Sequence, residues 1–287
     1  MVMINQIFSS AASFNSKYMA MLCLCLFLSL QAFTQNDTSF VPQPEKVIYG
    51  KFSKIFIDNL FNAYLVSEKG DGLIKLNAGG DYIGAYNDVR RYGNISFIDV
   101  SNPLKTLVYF KDFNAIVALD RLLNTTATFD LRRSGILQSS AVALSYDNNI
   151  WVYDSRDAKL KKMNEAGKVI FESADFKTLF ASVPQPTHII DKDGMLYLYD
   201  KNVGLMIFDY YGALKTTYAF KDYEDVFVHN QTFYARKNNF LFYSALNAMR
   251  ESTIALPVEN ISQIQMVHPF LFFLSSGNIM VYKKEVY

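Results

Sequence analysis

"DGMLYLYDKNVGLMIFDYYG", Asp193 to Gly212, sets two short runs of apolar and aromatic residues on either side of the polar turn Lys201-Asn202. Such a pair of runs, bounded by Asp and Gly, reads as a β-hairpin. The same grammar returns in "DNNIWVYDSRDAKLKKMNEAG", Asp147 to Gly167, and in "LFNAYLVSEKGDGLIKLNAGG", Leu60 to Gly80. In these copies the turn residue Leu60, Asp147 or Asp193 precedes the aromatic Tyr64, Trp151 or Tyr197 by the same four positions. The hairpin is therefore one unit of a repeat.

Three looser copies fill the rest of the chain: "KTLVYFKDFNAIVALD" (Lys105 to Asp120), "QTFYARKNNFLFYS" (Gln231 to Ser244) and "FLFFLSSGNIMVYK" (Phe270 to Lys283). With Tyr64, Val108, Trp151, Tyr197, Tyr234 and Phe272 taken as equivalent, successive gaps are 44, 43, 46, 37 and 38 residues. A period near 40 is that of propeller blades. Each unit also has room for a strand before the hairpin ("IFID", "ISFIDV", "AVALSY", "THIID", "DVFVH", "QIQMV") and one after it ("YIGAY", "TATFDL", "KVIFES", "KTTYAF", "STIAL"). Four strands per unit is the blade recipe.

The sixth unit ends at "IMVYKKEVY" with no fourth strand, while "KVIYGKF", Lys46 to Phe52, is a strand without a unit. The expected fold is thus all-β, a six-bladed β-propeller over 46–287 closed by pairing of this N-terminal strand with the last blade. A β-sandwich of the same hairpins leaves both oddities unexplained. The copies "IFIDNLFNAYLV", "ALSYDNNIWVYD" and "HIIDKDGMLYLYD" resemble the strand and turn signature of NHL-type six-bladed propellers. The resemblance implies an architecture and little else, because propellers host binding proteins, scaffolds and enzymes alike. The aromatic-rich body following an apolar leader is also similar to uncharacterised cell-envelope proteins of Bacteroidota.

That leader is "MAMLCLCLFLSLQAF", Met19 to Phe33, preceded by Lys17. It is shorter than the roughly 20 residues of a membrane span and has the length of a signal-peptide core. Ala32 and Thr34 supply the small side chains of a cleavage site, so 1–34 reads as a signal peptide and 35–45, with two prolines, as a linker. The mature protein is then expected to be periplasmic or secreted, without a membrane span. Both cysteines, Cys23 and Cys25, fall inside the leader, which leaves no disulfide, thiolate nucleophile or cysteine metal site in the mature chain.

Composition narrows the functional classes. The 28 basic residues are interspersed with 27 acidic ones for a net charge of +1, and no basic footprint for nucleic acid appears. The pairs Arg90-Arg91 and Arg132-Arg133 could mark an anion patch but read as solvated loops. A phosphate-cradling loop is absent, since "GKF" at Gly50 lacks the flanking residues, and "SSAVALS" around Ser139 has no nucleophile elbow.

Metal ligands are the remaining chemistry to seek in a propeller channel. His188, His229 and His268 are spaced by 41 and 39 residues, close to the repeat. However, His188 opens its inner strand while His229 and His268 close theirs, which places them at opposite ends of the channel. Asp58, Asp99 and Asp191 end three inner strands and could face a calcium ion, but Asp at a strand end also caps turns. No catalytic residue and no cofactor is assigned, and the metal question stays open. The expectation is a monomeric, non-enzymatic binding or scaffold propeller of the cell envelope, engaging a protein partner through one loop face or the channel. The alternative is a metal-dependent, lactonase-like hydrolase or lyase acting at the channel mouth.

Overall fold

The computed structural model describes residues 43–248 and 250–283. The leader, its cleavage site and most of the linker lie outside the described residues. Strand β1 (Lys46–Ile48) comes first, followed by β2 (Phe52–Ile57), β3 (Ala63–Ser67), β4 (Leu73–Leu76) and β5 (Tyr82–Tyr86). The chain continues through β6 (Phe97–Asn102), β7 (Lys105–Phe110), β8 (Ala115–Leu119) and β9 (Thr125–Asp130), then β10 (Ser139–Leu144), β11 (Ile150–Asp154), β12 (Lys159–Met163) and β13 (Val169–Glu172). After one helical turn, α1 (Phe176–Leu179), come β14 (His188–Lys192), β15 (Met195–Asp200), β16 (Gly204–Phe208) and β17 (Leu214–Tyr218). The last strands are β18 (Glu224–His229), β19 (Thr232–Lys237), β20 (Phe240–Ala245), β21 (Arg250–Ala255), β22 (Ile261–Val267), β23 (Phe270–Ser275) and β24 (Asn278–Lys283).

These strands form six four-stranded antiparallel sheets, and five of them take consecutive strands in order. The sixth is β22-β23-β24-β1, in which Lys46, Val47 and Ile48 sit opposite Val281, Met280 and Ile279. The fold is an all-β six-bladed propeller. One boundary in the sequence reading is corrected: "KVIYGKF" is not one strand, because β1 stops at Ile48 and Phe52 already opens the first blade. The chain must leave one blade and enter the next between them, and Gly50 sits at that passage.

The hairpin turns show why this sequence makes blades. Asp58 Oδ1 accepts from Leu60 N and Asn62 N, both at 2.9 Å, and Phe61 takes a left-handed φ of 61°. Asp120 repeats the device with Leu122 N and Asn124 N at 2.8 Å, and Asp209 with Tyr211 N at 3.0 Å and Ala213 N at 2.9 Å. A side-chain acceptor followed by a left-handed residue three positions on is the chemistry of a tight hairpin loop.

The core is divided rather than central. Six apolar clusters lie between neighbouring blades; Tyr64, Val66, Val108 and Phe110 belong to the first-second seam, and Trp151, Tyr153, Phe176 and Phe208 to the third-fourth. The fifth-sixth seam is thin, built from Leu241, Leu256, Val258, Ile264, Phe273 and Tyr282. Inner-to-second and third-to-fourth strand turns share one rim, here the hairpin face. Second-to-third turns and blade-to-blade connections share the other, the connection face.

Candidate functional site: the channel and the hairpin face

Six inner strands, β2, β6, β10, β14, β18 and β22, enclose a cavity of about 460 Å³ lined by Lys54, Phe97, Asp99, His188, Asp225 and Gln265 among others. Most of the polar groups around this channel are joints between blades. Lys54 Nζ, on the first blade, donates to Ile95 O and Ser96 O at 2.7 Å on the way into the second. Asp99 of the second blade accepts from Leu144 N of the third at 2.8 Å. Asp191 of the fourth reaches back to the third, taking Ser145 Oγ at 2.9 Å and Trp151 Nε1 at 3.0 Å.

The remaining joints follow the same plan. Tyr199 Oη accepts from Tyr223 N at 2.7 Å between the fourth and fifth blades. Asp225 accepts from Ile264 N at 3.0 Å between the fifth and sixth. Gln263 closes the ring by pairing with both Ile55 N and Ile55 O at 2.8 Å. Asp99, Asp225 and Gln263 satisfy backbone groups of a neighbouring inner strand, Leu144 N, Ile264 N and Ile55 N and O, while the other joints engage turn, connection or side-chain groups.

This arrangement redistributes the predicted site residues. Asp58 caps its own hairpin and also accepts from Tyr64 Oη at 3.2 Å. Asp99 does not end a strand, as expected from sequence; it lies inside β6 beside a bulge, and Asn102 caps the turn instead by accepting from Leu104 N at 3.0 Å. Burial raises the carboxyl pKa of Asp99, a shift opposed by its hydrogen bonds to Ser101 and Leu144. Asp191 gives its second oxygen to Tyr210 Oη at 2.5 Å.

The histidines do not converge either. His188 opens β14 near the connection face, with Thr187 Oγ1 2.9 Å from its Nδ1, while His229 and His268 stack with centroids 6.0 Å apart at the hairpin face. Among the described residues no group of three or more His, Cys, Asp or Glu is placed to hold a metal ion. Ser139 is buried against Asn114 Oδ1 at 2.5 Å and Tyr109 Oη at 2.8 Å, a packing role rather than a nucleophile's. Arg91, Arg132 and Arg133 line a groove of about 620 Å³ with Tyr92 and Phe113.

Two further features were missed in the sequence. The first is the joint set Lys54, Asp225 and Gln263, whose only signal is a polar residue interrupting an apolar inner strand. Asp225 is engaged by Arg236 Nε at 2.5 Å, yet burial outweighs that partner and raises its pKa. The second is an apolar arc on the hairpin face. Leu60, Leu104 and Tyr146, at the inner turns of three consecutive blades, are 61%, 70% and 70% exposed, and Tyr211 on the next blade is 88% exposed. Tyr146 is held as a platform, stacked on Tyr210 at 4.8 Å with Lys162 Nζ 5.1 Å from its ring centroid.

No protein-family model and no curated protein matches the chain. Solved structures similar to it include a streptogramin B lyase at 15% identity and TM-score 0.57, covering 79% of this chain and 77% of that one. The WD40 domain of Neurospora crassa Pan2 superposes with TM-score 0.61 at 10% identity over 83% of this chain and 90% of its own. An extracellular domain from B. thetaiotaomicron gives TM-score 0.54 at 10% identity, and the match covers 83% of this chain and 34% of that one. At such identities the likeness is one of fold, shared by a lyase and by WD40 domains.

Proposed function

We propose that the protein is a non-enzymatic binding propeller that engages an apolar or aromatic surface of a protein partner through its hairpin face. The observation behind this reading is the arc of Leu60, Leu104, Tyr146 and Tyr211, carried on turns that are fixed by side-chain hydrogen bonds. Rigid, amphipathic aromatic anchors beside exposed aliphatic residues are the composition of interaction hot spots. The inner strands, by contrast, spend most of their polar groups on holding the ring together. The exported, envelope-associated setting suggested by the leader forms part of the proposal. It is compatible with the absence, among the described residues, of any helix long and apolar enough to cross a membrane.

The experiment is site-directed photo-crosslinking of the full chain in the cells that produce it. A photoreactive residue at Leu104 or Tyr146 should yield one shared adduct, and one at Phe240, near the opposite face, should not. Identical adducts from both faces, or none from the hairpin face, would refute the reading. With a net charge of +1, binding should weaken only slightly between low and physiological salt.

A further inference from the structure

Two cations lining the channel have no carboxylate within salt-bridge distance among the described residues: Lys192, exposed at the hairpin end of β14, and Lys54, partly buried toward the connection face. Buried cations elsewhere have partners: Lys161 has Asp154 at 2.8 Å, Lys162 has Asp147 at 2.5 Å, and Arg236 has Asp225 and Glu224. Lys75 lies 4.6 Å from the ring centroid of Tyr64. Lys54 has no carboxylate within salt-bridge distance among the described residues, and its two hydrogen bonds go to neutral carbonyls. Burial is the one resolved influence on its pKa, which it lowers; no neighbouring charge contributes. An ammonium has three hydrogens, so one remains for another acceptor.

The joint itself does not require this charge. Gln263 bridges the sixth and first blades with a neutral amide, whereas Lys54 places a cation at the neighbouring joint. Lys54 is partly buried, and a partly desolvated cation gains from an anion that meets it. The carboxylate at the same end of the channel, Asp225, is already committed to Arg236 and Ile264 N. Asp99 and Asp191 belong to the other half and are spent on Leu144, Ser145 and Trp151.

Beside Lys54 the wall is aromatic. Phe97 extends from the second blade to meet Phe56 of the first at 5.5 Å and His188 of the fourth at 6.1 Å, so it spans the channel. Gln265 lines the cavity without a hydrogen-bond partner among the described residues. A volume of about 460 Å³ lies within the range of small-ligand pockets.

We infer that the connection-face half of the channel binds a small carboxylate with a ring-shaped body, its carboxylate on Lys54 Nζ and its ring against Phe97. The His188 imidazole, whose pKa burial lowers to about 4, adds no second positive charge at neutral pH, so the site suits a single negative charge. This site is independent of the hairpin face, and either can fail without the other.

The test is ligand-observed ¹⁹F NMR with 4-fluorophenylacetate and 4-fluorobenzoate on the propeller. At least one should titrate to saturation, and 4-fluorobenzyl alcohol, which keeps the ring and lacks the charge, should bind at least about tenfold more weakly to the same wild-type protein. Lys54→Met should weaken the carboxylate by about tenfold or more while Lys54→Arg and Lys192→Met retain it. The inference is overturned if neither carboxylate binds at millimolar concentration, if the alcohol binds as well, or if a folded Lys54→Met binds unchanged. The alcohol comparison needs no variant, so it decides the matter even if Lys54→Met fails to fold.

Discussion

Replacing Asp191 by alanine tests whether the inner-strand carboxylates are joints or ligands. The side chain accepts four hydrogen bonds: Ser145 Oγ, Trp151 Nε1 and Tyr146 N on one oxygen, and Tyr210 Oη on the other. Tyr146 is largely exposed and its N–H can turn to water, and Ser145 Oγ can rotate. Trp151 is fully buried, so its indole N–H loses its acceptor. One orphaned buried donor costs about 1–3 kcal/mol, and the lost charged hydrogen bonds add about 1–2 kcal/mol net of the carboxylate's own desolvation. We expect a destabilisation of about 2–5 kcal/mol, which for a domain of this size lowers Tm by roughly 4–20 °C. The assay is thermal unfolding followed by the fluorescence of Trp151, the single tryptophan of the chain. Chelator should not change the wild-type curve. A loss below about 1 kcal/mol, or a wild-type curve shifted by chelator and an Asp191→Ala curve insensitive to it, would refute the joint and restore a metal ligand.

Three other perturbations follow from the same geometry. Arg236→Met leaves Asp225 buried and unpaired at the thin fifth-sixth seam and should cost about 3–5 kcal/mol in urea unfolding; adding Asp225→Leu should recover part of it. Gly204→Ala should cost at least about 3 kcal/mol, since φ is +112° and a new Cβ would stand 2.1 Å from Tyr218 O. His188 has a folded pKa near 4 against 6.5 unfolded, so its contribution is fully present above pH 6.5 and is lost as pH falls toward 4. Tm measured across that window should fall less steeply in His188→Phe than in the wild type.

The blades were legible because their signals are local. An Asp or Asn at the turn with a left-handed position three residues later recurs in the first four units, and strands at a near-constant spacing recur in all six. Tyr64, Trp151 and Tyr197 all fell on second strands for that reason. The site was less legible because a channel is assembled from strands some forty residues apart, and sequence order does not reveal which way an inner-strand side chain leans. Asp99 shows the difficulty: it was expected at a strand end, but a bulge between Asp99 and Asn102 lets the strand run on and hands the turn to Asn102. The apolar arc was hidden differently, since Leu60 and Leu104 are single exposed residues in sequence and become a surface only when successive blades align their turns.

Polar residues recurring at the blade period invite a search for a metal, yet the period alone cannot distinguish a ligand from a joint. A ring of blades has an inner strand edge in every unit, and each edge presents backbone groups that must be satisfied across to the next blade. Selection for closure therefore places polar side chains on most inner strands, here Lys54, Asp99, Asp191, Asp225 and Gln263, and their recurrence imitates that of a metal site. What separates the two is engagement: Asp99, Asp191 and Gln263 have both side-chain heteroatoms taken by neighbouring protein groups. Lys54 is the exception, because its two bonds leave both a proton and a full charge uncompensated. By that reasoning the informative polar residue in this channel is not one of the regularly spaced acids or histidines. It is the lysine whose chemistry exceeds what its joint demands.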